Sequence, residues 1–261
     1  MQLQTSVERI GAVAVVRFDN PPSGFIASKG AAQLADAVET LFSDSSVRAL
    51  VITGARSGVF IRHADVAQIV RAGEAVTSQR IGTEDFLASP FVRLTRLCER
   101  APVPVIAAID GVCMGGGFEI ALCCTFRIAA GTVEQIGLPE IRIGIFPGSG
   151  GTQRLARLIG THAARAFILR GAVIGAGQAL SLGLVDEVAP SALARAIELA
   201  NELAGRSPAA VRAIMELTRM TDYESGLREE VLRFAALLQD PETLARLRDF
   251  AGGEQDLGEV L

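Results

Sequence analysis

The chain has 261 residues, of which 49% are apolar and 21% charged, and 25 Lys and Arg stand against 29 Asp and Glu for a formal net charge of −4. At about 100–200 residues per domain this is one large domain, or one with a smaller appendage, and a chain so long buries enough surface to need no disulfide or metal staple. The acidic balance, with no Lys/Arg run and aromatics made up of 12 Phe, one Tyr and no Trp, argues against a nucleic-acid partner.

The four cysteines, Cys98, Cys113, Cys123 and Cys124, form no C-x-x-C and read as small buried apolar residues in a reducing compartment. Two histidines without clustered ligands make no recognisable metal set. Met1-Gln2-Leu3-Gln4 opens no signal peptide, and no apolar run approaches the roughly 20 residues that span a bilayer. The expectation is a soluble, cytoplasmic protein with no membrane partner.

In chain order, Leu3–Ile10 and Ala12–Phe18 read as strands of a hairpin turning at Gly11, and Asn20-Pro21-Pro22-Ser23-Gly24 as a loop. Ser28 is the expected N-cap of a helix on which Leu34, Val38, Leu41 and Phe42 recur at helical spacing through Ser43. Ala49–Thr53 is a continuous apolar run of the kind buried on both faces of a sheet. A helix over Thr83–Arg100 precedes a strand at Val103–Ile109, a helix at Phe118–Cys124 and a strand at Phe126–Ala130. This alternation predicts an α/β fold with crossover connections. Short helices follow at Thr152–Ile159, His162–Leu169 and Ala176–Leu182, then a strand at Leu184–Val188. Beyond Pro190 the pattern is helical, over Ser191–Gly205, Ser207–Thr221, Glu224–Leu238 and Pro241–Phe250. The expected division is a core over residues 1–195 and a helical region over 196–261.

Gly115-Gly116-Gly117 lies between a strand and a helix, where glycine allows close backbone approach and the first helical N–H groups are unpaired and partly positive. Such a place suits negative charge on an oxygen. It is no dinucleotide fingerprint, because position 120 is Ile, and no P-loop, because no Gly-Lys-Ser/Thr follows. Glu119, amid Phe118, Ile120, Ala121 and Leu122, and Glu140, in Gly137-Leu138-Pro139-Glu140-Ile141, are carboxylates in apolar company. Brought together, their pKa values separate, so that one serves as acid and the other as base. Ser149 sits in no G-x-S-x-G elbow, which argues against a serine hydrolase.

Ile106-Ala107-Ala108-Ile109-Asp110-Gly111-Val112-Cys113-Met114-Gly115-Gly116-Gly117-Phe118-Glu119, Phe126-Arg127-Ile128-Ala129, Gly137-Leu138-Pro139-Glu140 and Gly144-Ile145-Phe146-Pro147-Gly148-Ser149-Gly150-Gly151-Thr152-Gln153-Arg154-Leu155 resemble the crotonase (enoyl-CoA hydratase/isomerase) superfamily. The resemblance spans most of the chain. It implies a spiral of ββα turns with a C-terminal helical oligomerisation region, and a homo-oligomer built as a trimer or dimer of trimers. It also implies an acyl-CoA substrate whose thioester oxygen is held by the Ala64 and Gly116 amides. Glu119 and Glu140 match the two hydratase carboxylates, and no cofactor is implied beyond the coenzyme A of the substrate. Substrate-binding positions carried over are Lys29, Arg62, His63, Asp65, Gly115, Pro139 and Gly148.

The chain departs from the family's Ala-Gly-Ala-Asp with Arg62-His63-Ala64-Asp65, which places His63 beside the first oxyanion donor. Val66 and Ala67 replace a basic side chain usual after that Asp, and Thr125 an Asp, leaving Lys29, Arg56 or Arg62 to meet the nucleotide phosphates. The resulting expectation is an enoyl-CoA hydratase acting in fatty-acid metabolism. Its rivals are another reaction on the same enolate (isomerisation, dehalogenation or C–C cleavage) and a catalytically silent CoA-binding scaffold.

Overall fold

A computed structural model describes residues 4–222 and Leu232, and divides the chain into two compact units, Met1–Ala204 and Gly205–Leu261. In the first unit, β1 (Thr5–Ile10) and β2 (Val13–Phe18) form an antiparallel hairpin that turns at Gly11, whose φ of 59° is in the left-handed region. The helix α1 (Ser28–Ser43) buries Leu34, Val38 and Leu41 on the stripe their spacing predicts. Its N-cap is Ala27, not Ser28; the Ser28 hydroxyl instead accepts from Gln68 Nε2 at 2.8 Å and so ties α1 to the next helix.

From here the chain winds in turns, each placing one strand in a first sheet and the next in a second. β3 (Ala49–Gly54) is followed by β4 (Gly58–Ile61), and β5 (Val105–Ile109) by β6 (Gly111–Met114). β7 (Phe126–Ala130) is followed by β8 (Ile136–Gly137). Between β4 and β5 lie α2 (Val66–Thr77), α3 (Thr83–Leu87) and α4 (Pro90–Glu99). After β6 comes α5 (Gly116–Ala121); after β8 come a 3-10 turn (Glu140–Ile143), α6 (Gly151–Ile159) and α7 (Thr161–Leu169). β9 (Val173–Ile174), α8 (Ala176–Ser181), β10 (Glu187–Ala189) and α9 (Ala192–Ala204) complete the unit. The first sheet has strand order β1-β2-β3-β5-β7-β10, parallel beyond the opening hairpin. The second runs β4-β6-β8-β9, with only its last pair antiparallel. This is the mixed α/β fold expected from the alternation of elements, wound as the spiral of ββα turns that the resemblance implies.

The core lies against the first sheet. β5 is buried along its whole length, and β2 and β3 nearly so, as fully covered parallel strands require. α9 crosses the strands of this sheet and buries Ala192, Ala196, Leu199 and Ala200. Its first turn is tied to the end of β5: the Asp110 carboxylate accepts from Ala192 N at 2.8 Å and Leu193 N at 2.9 Å.

Further local expectations change. The helix expected over 83–100 is broken between α3 and α4, where Ser89 caps a fresh start by accepting from Val92 N and Pro90 takes the first helical position. The helix expected from Phe118 to Cys124 begins two residues earlier, at Gly116, and ends at Ala121. The strand expected at Leu184–Val188 narrows to β10, because the Leu184 carbonyl accepts from the buried Arg127 Nε at 3.0 Å instead of joining a ladder.

In the second unit, α10 (Pro208–Leu217) starts at Ser207, which accepts from Ala210 N. The helices expected at Glu224–Leu238 and Pro241–Phe250, with the stripe Leu227, Val231, Phe234, Leu237 and Leu238, lie outside the described residues. Among the described residues no helix is long and apolar enough to cross a membrane, and no group of three or more His, Cys, Asp or Glu is placed to hold a metal ion.

Candidate active site

The site forms where the winding brings the loop after β4 against the start of α5. Ile26 pairs with Ala64 in a parallel bridge: Ile26 N donates to the His63 carbonyl and Asp65 N to the Ile26 carbonyl, both at 2.9 Å. In such a bridge the intervening N–H, that of Ala64, faces away from Ile26. Ala64 N lies close to Gly116: a Cβ on Gly116 would stand 3.4 Å from it. Gly116 opens α5, where N–H groups have no partner within the helix. Two amides from distant segments thus lie close together, with Phe91 of α4 beside them, its Cζ 2.8 Å from where that same Cβ would stand.

Gly115 makes the convergence possible. Its φ of 50° is disfavoured for a side-chain-bearing residue, and a Cβ there would lie 3.2 Å from Glu140 Oε1 and 3.4 Å from His63 Cβ. Glu140 and the His63 loop therefore flank the glycine whose chain direction aims the Gly116 amide.

Glu119, in the first turn of α5, is 4% exposed. One oxygen, Oε1, accepts from Ser149 N at 2.7 Å and Gly151 N at 2.9 Å. Burial pushes its carboxyl above the ordinary range, opposed by those two amides and by the charge of Arg154. Glu140, at the start of the 3-10 turn, is pushed up to about 7, chiefly by burial, with the negative charge of Glu119 adding to it. Its Oε2 is buried and has no hydrogen-bond partner among the described residues. The two carboxylates thus differ: one is braced by two loop amides, while the other keeps one buried oxygen without a hydrogen-bond partner among the described residues and is pushed up to about 7.

Of the other sequence-derived positions, Pro139 precedes the 3-10 turn, and Gly148 is an exposed part of the loop that reaches Glu119. The Asp65 carboxylate caps α2, accepting from Ala67 N at 2.9 Å. Lys29 is exposed near the start of α1, and Arg62 holds its Nε buried without a hydrogen-bond partner. Arg56 is already occupied, by the Pro22 carbonyl at 2.6 Å and Asp19 at 3.4 Å. Sequence reasoning missed the roles of Phe25, Phe91 and the Ser149 and Gly151 amides. The glycine cluster before α6 was the one available signal for the last two.

A family profile described as Enoyl-CoA hydratase/isomerase matches residues 8–241. The chain is 45% identical over 145 residues to "Enoyl-CoA isomerase/hydratase fer4" of Mycosarcoma maydis, a match over 51% of this chain and 53% of that protein, so it spans about half the length of this curated relative. Among solved structures it is similar to Pseudomonas aeruginosa DspI, with a TM-score of 0.84 and 31% identity over 96% of this chain and 95% of that one. It is similar also to an enoyl-CoA hydratase from Bacillus anthracis, with a TM-score of 0.84 and 30% identity over 95% of this chain and 96% of that one.

Proposed function

The chain belongs to the enoyl-CoA hydratase/isomerase family, and on that premise we propose that it is an enoyl-CoA hydratase, adding water reversibly across the 2,3 double bond of an enoyl-CoA thioester. The observation that carries the reading is the unequal pair of carboxylates beside two convergent amides. The thioester oxygen sits between the amides of Ala64 and Gly116, which stabilise the negative charge that builds on it as the enolate forms. A donor of this kind is typically worth about 3–4 kcal/mol in the transition state.

Glu119, with Oε1 held by Ser149 and Gly151, keeps its other oxygen for water. As a carboxylate it orients that water and takes a proton as the oxygen bonds to the β-carbon. Glu140, protonated over part of its population near neutral pH, gives its proton to the α-carbon. One water is consumed, and the proton taken by Glu119 balances the one Glu140 gives. The scheme uses no metal and no redox group. The acyl-CoA is the partner, and of the helical region expected after residue 195, the part beyond α9 serves, in this reading, to assemble a homotrimer or a dimer of trimers. A cytoplasmic setting accords with the four free cysteines among the described residues.

The test is crotonyl-CoA with purified protein, followed by loss of the conjugated-thioester absorbance. Hydration that disappears in both Glu119→Gln and Glu140→Gln supports the reading. No hydration by the wild type overturns the reading in favour of another reaction on the enolate, such as isomerisation, and hydration retained in Glu119→Gln overturns the role given to Glu119.

A further inference from the structure

The loop that braces Glu119 does not hold itself in place. Ser149, Gly150 and Gly151 must aim two N–H groups at one oxygen, and Gly150 does so at a φ of 99°, without a side chain to secure the turn. The securing group comes from the next turn of α6. Arg154 folds back and donates through Nη1 to the Ser149 carbonyl at 2.6 Å, packed so closely on Gly150 that a Cβ there would meet Nη1 at 2.3 Å. Its other terminal nitrogen, Nη2, donates to Glu99 Oε2 at 3.0 Å, at the end of α4. One guanidinium, 11% exposed, thus links α4, the loop and α6. The forked, planar geometry of arginine suits this task, and a lysine ammonium does not reproduce it.

Resting on the hydratase reading above, we propose that Arg154 is a positioning residue: by clamping the Ser149–Gly151 loop to Glu99 it keeps both amides on one oxygen of Glu119 and leaves the other oxygen for water. Its charge acts in the same direction. The charged or titratable groups facing Glu119 are Arg154 from α6, Glu140 from the 3-10 turn and Cys123 just past α5. Burial keeps the Cys123 thiol protonated, and at Glu119 burial is opposed first by the Gly151 and Ser149 amides and then by the Arg154 cation, which also holds those amides in place. Arg154 touches no reacting atom. It acts through the loop whose amides brace Glu119.

The experiment compares Arg154→Met, Arg154→Lys and Glu99→Ala with wild type, reading kcat and KM for crotonyl-CoA across pH. Alongside, the carboxyl titration of Glu119 is followed by NMR in protein carrying 13C-labelled Glu, assigned with Glu119→Gln and Glu140→Gln. Arg154→Met is expected to lower kcat on the order of tenfold or more with KM nearly unchanged, and to move both the acidic limb of kcat and the Glu119 titration to higher pH. Arg154→Lys keeps the charge, so it should leave the titration near its wild-type position while losing several-fold in kcat; Glu99→Ala should lose kcat likewise. Wild-type kcat and an unmoved Glu119 titration in Arg154→Met overturn the proposal. Should that variant fail to fold, undiminished kcat in both Arg154→Lys and Glu99→Ala overturns it. The NMR titration reads the clamp even if wild type hydrates no enoyl-CoA, so failure of the hydratase reading and failure of this one are told apart.

Discussion

The rings of Phe25 and His63 stack with centroids 4.2 Å apart and planes 28° from parallel. They flank the bridge between Ile26 and Ala64, and the stack sets the rotamer in which His63 Nδ1 lies 2.7 Å from the Ala64 carbonyl. A carbonyl only accepts, so Nδ1 carries the proton. The ring thus holds the Ala64–Asp65 peptide, while Ile26 N holds the His63 carbonyl and with it the His63–Ala64 peptide that carries the Ala64 N–H, so both planes that meet at Ala64 are fixed. His63→Leu should lower kcat several-fold while sparing KM. His63→Asn, whose amide nitrogen takes the place of Nδ1, should restore most of the loss. Equal kcat in wild type and His63→Leu would leave the ring without a role in aiming the oxyanion donor.

The carboxylates act as a unit. Glu119→Gln and Glu140→Gln keep size and hydrogen bonding but cannot exchange the proton, so each should lose about a hundredfold or more in kcat. The double variant should be scarcely slower than either single one. Because Glu140 gives its proton in hydration and titrates at about 7, the hydration rate should fall as pH rises through that value. A pH profile flat from 6 to 9 contradicts this assignment.

The same group governs stability. Glu140 binds its proton more tightly in the folded protein, at about 7, than at its ordinary value of 4.5. Folding therefore releases no proton at low pH but is penalised progressively as pH rises from about 4.5 to about 7. Glu140→Gln cannot ionise. It should melt roughly 2–6 °C above wild type at pH 8 and together with it at pH 4. Thermal unfolding at the two pH values checks the sign.

Gly116→Ala should separate folding from catalysis. The added methyl meets Phe91 Cζ at 2.8 Å and closes on Ala64 N at 3.4 Å, filling the notch between the two amides. Phe91 is a ring that can swing aside, so the protein should fold, yet kcat should fall by about 10²–10³ as when an oxyanion donor is removed. A circular dichroism melt and a crotonyl-CoA assay on the same preparation decide it.

The nucleotide end of the substrate should depend on cations. Arg62 keeps Nε buried and unpartnered, and Lys29 stands exposed nearby in sequence to the Gly24–Ile26 loop, whereas Arg56 already serves Pro22 and Asp19. Arg62→Ala or Lys29→Ala should raise KM for acyl-CoA with kcat spared, and Arg56→Ala should change it less. The order of the three KM values, and their convergence at high salt, test the ranking.

The elements that sequence made legible are those whose burial follows a period. α1 carries its stripe, β5 is apolar throughout, and β7 matches the expected Phe126–Ala130. The second sheet was not legible. β8 and β9 have two residues each, too short for any alternation to emerge. α2 escaped although Val66, Ile69 and Val70 recur there at helical spacing and Asp65 caps it, since the stripe is short and none of it is buried. In the site, Glu119 and Glu140 stood out as charges among apolar neighbours. The clamp on Glu119 did not, because Glu99, Ser149 and Arg154 meet only through the fold.

Asp110 sets a limit on how this chain can be cut. Its two oxygens hold the first amides of α9, while the helix covers the sheet from which β5 delivers the chain into the oxyanion segment. A fragment ending before Ala192 would leave that carboxylate without its amides and uncover apolar sheet beside the residues that lead to Gly116. Any piece that retains the site must therefore carry α9 through to Ala204.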